Sequence, residues 1–245
     1  MTTTASRRHP DGLEALDRRY IVPWGYRESA RVLGGATACA AILAILAALH
    51  SRVWLVGLVP VAALAAFLVL FFRNPRRTIP EGAGIVVSPA DGAVSDICEV
   101  DEQEFLHCRA VRIGIFLSIF SVHVNRAPVA GRVEWLSHRD GAHFDARRPE
   151  CATQNESNWI GIVREEGNGR DSVTFLVKQV SGAIARRIIC PLEKGIQVRR
   201  GGLIGMIKYG SRTELYIPLA ASPAIRVAVG QKVQGGATVV AEVAA

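Results

Sequence analysis

Three side chains of the types used in acyl transfer stand out in this sequence: Ser211, His123 and Asp91. A serine hydroxyl is a weak nucleophile near neutral pH, so it needs a histidine as base and gains from an aspartate that fixes the histidine tautomer. Gly210 precedes the serine; because it lacks a Cβ, its carbonyl is open to attack. Each residue also has a purely structural explanation: a Gly-Ser turn, a core or surface histidine, and an Asx turn.

Short β-branched runs punctuated by glycine predict the elements that hold these residues. No long stretch between residues 80 and 245 has helical periodicity, so the sequence predicts one mainly-β domain. A weak P-x-x-G-x-V repeat at 89–94 and 128–133, with a third turn-rich strand entry at 229–236, is typical of barrel-sandwich folds of the biotinyl and lipoyl carrier type. No Met-Lys-Met or similar lysine of the kind that holds a biotinyl or lipoyl group lies in these turns, so a carrier function is not predicted. The predicted strands are Gly84–Val87, Val111–Phe116, Val129–Leu136, Trp159–Arg164, Val173–Val177, Ala185–Ile189, Leu203–Tyr209, Glu214–Ile217 and Val239–Val243.

Two uncharged apolar stretches precede this domain, Val32–Leu49 and Val53–Phe72. Each approaches the ~20 residues that cross a bilayer. The connector at residues 50–52 is only long enough to reverse the chain, so the pair predicts a helical hairpin with both ends on one side. Two alternatives stay open: a hairpin buried in a soluble domain, and a hairpin lying in the membrane interface because Pro60 breaks the second stretch.

Positive charge flanks the hairpin. Residues 1–31 contain six arginines and three more follow the second stretch closely, whereas the turn contains one. By the positive-inside rule both ends face the cytoplasm. The predicted organisation is a cytoplasmic segment at 1–31, a membrane helical hairpin at 32–72 and a mainly-β domain at 73–245.

The composition of the chain narrows the classes of ligand. Its 29 Lys and Arg outnumber 22 Asp and Glu, and the formal charge of +7 favours an anionic partner such as anionic membrane lipid. Only 7% of residues are aromatic and no basic run has interleaved Phe or Tyr, so no nucleic-acid binding is predicted. The five cysteines form no C-x-x-C pair and the histidines lack ligand-like spacing, so neither a disulfide framework nor a metal site is predicted.

Four short motifs, in one order behind a hydrophobic N-terminal segment, are similar to those of the phosphatidylserine decarboxylase proenzymes, in particular their short form. The resemblance covers roughly residues 75 to 220. The motifs are Ser88-Pro89-Ala90-Asp91-Gly92, Val122-His123-Val124-Asn125-Arg126-Ala127-Pro128, Lys178-Gln179-Val180-Ser181-Gly182-Ala183-Ile184-Ala185-Arg186-Arg187-Ile188 and Gly210-Ser211-Arg212.

The resemblance implies a self-processing, pyruvoyl-dependent decarboxylase that converts phosphatidylserine to phosphatidylethanolamine in phospholipid biosynthesis. In that family the serine of a Gly-Ser bond becomes the cofactor, which implies cleavage between Gly210 and Ser211. A large subunit, 1–210, then pairs with a small subunit, 211–245. The implied location is the inner cell membrane, with the catalytic domain on its cytoplasmic side.

The resemblance also implies roles for individual residues. Ser211 becomes the pyruvoyl group and forms a Schiff base with the substrate amine, while His123 acts as base and Asp91 fixes its tautomer. The longer family members carry Leu-Gly-Ser-Thr at the cleavage site and a further histidine where this chain has Phe120, so no second-histidine role transfers. Ser121 stands where an acidic residue often precedes the Val-His pair, so no carboxylate role transfers either.

Two other functions remain open from the sequence. A non-catalytic, membrane-anchored β-sandwich adaptor explains the hairpin and the repeat, but not the order of the four motifs. The same chemistry on another phosphoserine lipid also fits, since residues that touch only the headgroup do not report the acyl chains. The sequence indicates no oligomeric state.

Overall fold

The computed structural model of the chain describes residues 17–145, 150–164, 172–183, 187–208 and 211–244. The chain divides into two compact units. Residues 19–75 form the first unit, and the second contains Asp17, Arg18 and the described residues from Arg76 onward.

The first unit is an apolar helical pair. Helix α1 (Tyr26–Leu49) follows a short 3-10 turn, and helix α2 (Leu58–Leu70) continues from a 3-10 segment at Arg52–Gly57. Pro60 is accommodated in the first turn of α2, where its missing N–H has no partner to lose. With the 3-10 segments that precede them, the two helices form apolar spans at Pro23–Leu49 and Arg52–Leu70, with mean hydropathies of 2.3 and 2.6. By length and composition, both spans are able to cross a membrane.

The two ends of this helical pair meet. Val22 N–H donates to the Phe72 carbonyl at 3.0 Å, and Asn74 N–H donates to the Tyr20 carbonyl. Ile21 and Arg73 form an antiparallel bridge between these contacts. The chain therefore enters and leaves the pair at the same end, as expected of a hairpin.

The second unit is built from antiparallel strands, so the mainly-β prediction is confirmed. The strands are β1 (Ile85–Val87), β2 (Gly92–Glu102), β3 (Cys108–Leu117), β4 (Val124–Arg126), β5 (Gly131–Arg139), β6 (Ser157–Arg164), β7 (Val173–Val180), β8 (Ile188–Ile189), β9 (Gln197–Val198), β10 (Leu203–Ile207), β11 (Ser211–Pro218), β12 (Ala224–Ile225), β13 (Lys232–Val233) and β14 (Val239–Glu242). A short helix, α3 (Cys151–Gln154), precedes β6.

The described residues form three sheets. The largest is a curled eight-stranded sheet of order β13-β2-β3-β11-β7-β6-β5-β9, and two three-stranded sheets have the orders β1-β14-β12 and β4-β10-β8.

The longest strand, β2, is absent from the sequence prediction. Its residues include Ser95, Asp96 and Glu99, which break the apolar pattern. Strand β2 lies near the edge of the large sheet, paired with β3 and with the two-residue strand β13, so one of its faces tolerates polar side chains. The turn-rich repeat at 89–94 leads into β2, and the one at 229–236 contains its partner β13.

The two faces of the large sheet differ in chemistry because side chains alternate along a strand. One face, here called the inner face, is apolar and fully buried at its centre. Its members are Ile113, Ile115 and Leu117 of β3, Ile160 and Ile162 of β6, Phe175 and Val177 of β7, and Leu215 and Ile217 of β11. The opposite face of β11 presents Arg212, Glu214 and Tyr216.

Glu214 is the centre of a buried ionic network on this outer face. No part of Glu214 is exposed; its carboxylate accepts hydrogen bonds from Arg212 Nε at 2.7 Å and from the Tyr216 hydroxyl at 2.6 Å. Arg212 also pairs with Asp96 on β2, at 2.7 Å. Gly114, opposite Glu214 on β3, makes room for this pair, since a Cβ there would overlap the guanidinium and the Asp96 carboxylate. Burial raises the pKa of Tyr216 far above its usual value, so the phenol stays a donor.

We expect Glu214→Gln to destabilise the second unit by about 3 kcal/mol, because it removes one partner of a buried ion pair. The matched control is Glu99→Gln, which breaks an exposed pair with Arg109 and costs at most about 1 kcal/mol. Urea unfolding of the detergent-solubilised chain, followed by tryptophan fluorescence, measures both losses. Equal losses in the two variants would show that the network does not stabilise the sheet.

Candidate active site

Ser211 begins β11, opposite Leu117 of β3. The residue is fully buried, and its hydroxyl has no hydrogen-bond partner among the described residues. A buried hydroxyl without a partner is costly, so its presence calls for an explanation, and a reactive role is one. Tyr209 and Gly210, the other residues predicted at this position, lie outside the described residues.

His123 lies directly before β4 and is also fully buried. Its carbonyl accepts from the Ile207 N–H at 3.3 Å, which places it beside the end of β10, the strand that leads toward Ser211. Its Nδ1 lies 2.9 Å from the Ser121 carbonyl oxygen. A carbonyl only accepts, so Nδ1 carries a proton, and Nε2 is the ring nitrogen left for a role as base.

A chain of buried side-chain hydrogen bonds connects the strands around these two residues. Asn158 on β6 donates to Gln179 on β7 at 2.8 Å, and Gln179 donates to Asn125 on β4 at 2.8 Å. Asn125 then donates to the Thr213 hydroxyl on β11 at 2.9 Å. We call these four residues the amide chain.

The amide chain determines which sides of β4 and β11 face each other. Side chains two residues apart on an extended strand project to the same side. Ser211 therefore shares a side of β11 with Thr213. Because Thr213 accepts a hydrogen bond from Asn125, the predicted nucleophile projects to the side of β11 that faces β4. The predicted base, His123, directly precedes β4 and is two residues from Asn125 along the chain.

Sequence reasoning did not assign a role to the amide chain. Asn125 and Gln179 both lie inside the quoted motifs, each with a valine on one side and a basic residue on the other. One signal in the sequence could have indicated this role. An amide side chain at a strand position that alternation assigns to the buried face has to be hydrogen-bonded inside the protein.

Asp91 occupies a different position from the one its predicted role requires. Its carboxylate pairs with Arg77 at 2.6 Å and accepts from the Gly235 N–H at 2.8 Å. No hydrogen bond of Asp91 within the described part of the chain reaches His123, whose Nδ1 contacts the Ser121 carbonyl instead. Burial raises the pKa of Asp91, while Arg77 and the Gly235 hydrogen bond oppose that rise.

The turn that contains Asp91 nevertheless contacts the strand beside His123. Arg126 N–H, on β4, donates to the Pro89 carbonyl at 2.9 Å. Ser88 is fully buried and its hydroxyl donates to the Ala90 carbonyl at 2.7 Å, which closes the turn. The turn that contains Asp91 is therefore joined to β4 by a backbone hydrogen bond.

The third motif spans both faces of the large sheet. Gln179 belongs to the amide chain, whereas Lys178 points to the outer face, where its Nζ lies 4.1 Å from the centroid of Trp159 and donates to the Ala152 carbonyl. Burial lowers the pKa of Lys178. Residues 184–186 of the motif lie outside the described residues.

Comparison with known proteins agrees with the motifs. Residues 64–241 match the sequence family described as phosphatidylserine decarboxylase. The chain is 46% identical, over 82% of its length and 90% of the relative's, to the phosphatidylserine decarboxylase proenzyme of Carboxydothermus hydrogenoformans. It is 43% identical to the proenzyme of Rhodopirellula baltica, over 80% of each chain. It is 35% identical to that of Ralstonia nicotianae, over 93% of this chain and 99% of the relative.

These matches cover the four motifs, the amide chain and Ser211, so the resemblance seen in short motifs extends through the whole second unit. The chain therefore belongs to the phosphatidylserine decarboxylase family.

Proposed function

We propose that this chain is a self-processing enzyme that decarboxylates phosphatidylserine to phosphatidylethanolamine, using a pyruvoyl group made from Ser211. The observation that carries the proposal is the fully buried Ser211 hydroxyl, which has no hydrogen-bond partner among the described residues and lies on the side of β11 that faces β4. Relatives named as proenzymes support a chain that is made in an inactive form.

Processing begins with proton transfer from Ser211 Oγ to His123 Nε2. The oxygen bonds to the Gly210 carbonyl carbon, the peptide C–N bond breaks, and the freed Ser211 nitrogen takes up a proton, which leaves an ester. Loss of the Ser211 Cα proton then breaks the Cβ–O bond, giving a Gly210 carboxylate and a dehydroalanine at 211. Water replaces the nitrogen of that residue and ammonia leaves, so atoms and charge balance.

The site fits a group formed in place at residue 211. The buried Oγ of Ser211 leaves residue 211 with the Gly210 carboxylate, so no unpartnered hydroxyl remains at that position. When formed, the pyruvoyl group bonds the substrate amine and accepts the electrons released with CO2. His123 Nε2 holds the proton that is returned to the substrate carbon, and we propose that Asp91 is a positioning residue that keeps the 88–92 turn against β4.

Strand pairing keeps the two cleaved pieces together. The proposed small subunit, 211–245, contains β11, which pairs along its whole length with β3 and also pairs with β7. It also contains β13 and β14, which pair with β2 and β1. Cleavage before Ser211 therefore leaves an intact sheet.

We also propose that the enzyme works at the inner membrane with its second unit on the cytoplasmic side. The two apolar helices support attachment to a membrane. The arginines before and after them support cytoplasmic ends.

Ser211→Ala is expected to leave the chain as one inactive polypeptide, because alanine has no oxygen to attack Gly210. Intact mass spectrometry of the purified wild-type chain should show two pieces, the smaller starting at residue 211 and lighter by one ammonia than a serine-started peptide. The control Ser137→Ala should be cleaved normally. An uncut wild-type chain, or a cleaved Ser211→Ala chain, would contradict the proposal, and the former would favour the non-catalytic adaptor.

His123→Ala is expected to slow cleavage by about 100-fold or more, the loss typical when a general base is removed. His138→Ala is the matched control, since the His138 side chain is about half exposed on β5. Gel electrophoresis of each chain over time after synthesis measures the rate. Normal cleavage in His123→Ala, with an unchanged circular dichroism spectrum, would remove His123 from the mechanism.

Gln179→Ala is expected to slow cleavage by about tenfold without blocking it, because it breaks the amide chain at its centre and loosens the placement of Ser211 and His123. Gln197→Ala, at an exposed position on β9, is the control. The same gel assay measures both rates, and thermal unfolding shows whether the fold survives. An equal rate for Gln179→Ala and wild type would show that the amide chain serves stability alone.

A further inference from the structure

A basic cleft lies in the second unit. It has a volume of about 690 Å³. We call it the arginine cleft, and its charged lining residues are Arg18, Arg76, Arg77, Arg126, Arg199, Arg200, Asp17 and Glu81.

The described residues around the arginine cleft carry an excess of positive charge. Six lining arginines face two lining acids, and Asp91 pairs with Arg77, so the formal charge of these groups is +3. One of the acids, Asp17, is already shared by Arg126 at 2.9 Å and Arg199 at 3.1 Å. Like charges gathered in a concave surface repel one another and focus a positive potential, so such a surface attracts an anion.

Two guanidinium groups of the cleft are accessible to a ligand. Arg18 and Arg76 are exposed and form no ion pair within the described ranges. Arg77 and Arg200 are held in place by hydrogen bonds to Asp91 and to backbone carbonyls, so their positive charges are fixed. Guanidinium groups match phosphate oxygens in geometry and charge.

The cleft is separated from the proposed catalytic residues by β4. Arg126 follows Asn125 along this strand, so the two side chains project to opposite sides. Asn125 belongs to the amide chain on the side of Ser211, whereas Arg126 lines the cleft.

We propose that the arginine cleft binds a phosphoryl anion, carried by an anionic phospholipid headgroup or free in solution, on the side of β4 opposite Ser211. The exposed guanidinium groups of Arg18 and Arg76 supply the hydrogen bonds, and Arg77 and Arg200 add fixed positive charge. This site does not depend on the proposed processing of Ser211, since it needs no reaction.

The test is isothermal titration of the full chain in an uncharged detergent with three probes: dihexanoyl phosphatidylglycerol, dihexanoyl phosphatidylcholine and inorganic phosphate. None has a primary amine, so none reacts at Ser211. The variant is Arg18→Gln with Arg76→Gln, and the matched control, with the same change in charge, is Arg109→Gln with Arg226→Gln on exposed surface pairs. Arg18→Lys with Arg76→Lys keeps the charge and checks the fold.

The expected result is binding of phosphatidylglycerol but not of phosphatidylcholine, weakened about tenfold or more in the glutamine variant and by added salt. The lysine variant should keep most of the affinity and the control all of it. Phosphate binding as tightly as phosphatidylglycerol identifies a free phosphoryl site, and much weaker phosphate binding identifies a lipid site. Equal binding of the neutral lipid, equal loss in the control variant, or no binding of either anion would overturn the proposal.

Discussion

The amide chain is the interaction on which the arrangement of this site depends. Its four side chains are at most 6% exposed, so each of their polar groups has to find a partner inside the protein. The partners come from strands of two different sheets, because Asn125 is on β4 of a three-stranded sheet and the others are on the eight-stranded sheet. The hydrogen bonds are satisfied only when these sheets pack in one register, and that register places the side of β11 that carries Ser211 against β4, which directly follows His123.

The buried ion pair and the predicted nucleophile lie on opposite faces of β11, because side chains alternate along a strand. Arg212, Glu214 and Tyr216 project to the outer face, while Ser211 and Thr213 project to the inner face. A permanent ion pair beside a serine nucleophile would compete for its proton and solvate its hydroxyl. Placing the buried carboxylate of Glu214 on the other side of the same strand fixes β11 strongly, yet leaves the Ser211 hydroxyl without a hydrogen-bond partner among the described residues.

Local pattern predicted much of the fold, because β-branched runs and glycine-rich turns act over a few residues. It predicted strands on either side of Ser211, at Leu203–Tyr209 and Glu214–Ile217, but not that β11 begins at Ser211 itself. It also did not predict β2, whose polar residues are tolerated only because of its place in the sheet. The role expected for Asp91 shows the same limit. The sequence suggested a hydrogen bond between Asp91 and His123, whereas in the structure Asp91 forms an ion pair with Arg77. The Asn125–Thr213 hydrogen bond spans 88 residues, a separation at which no local pattern operates.

Strand β4 lies between the amide chain and the arginine cleft of the second unit. Its Asn125 side faces β11 and its Arg126 side faces the arginine cleft. Burial raises the pKa of Asp91, and attraction by Arg77 and Arg126, which both line the cleft, opposes that rise. An anion in the cleft would offset this attraction, since it would neutralise the same guanidinium groups. An anion in the cleft would therefore act on Asp91, and through Asp91 on the turn that is proposed to position His123.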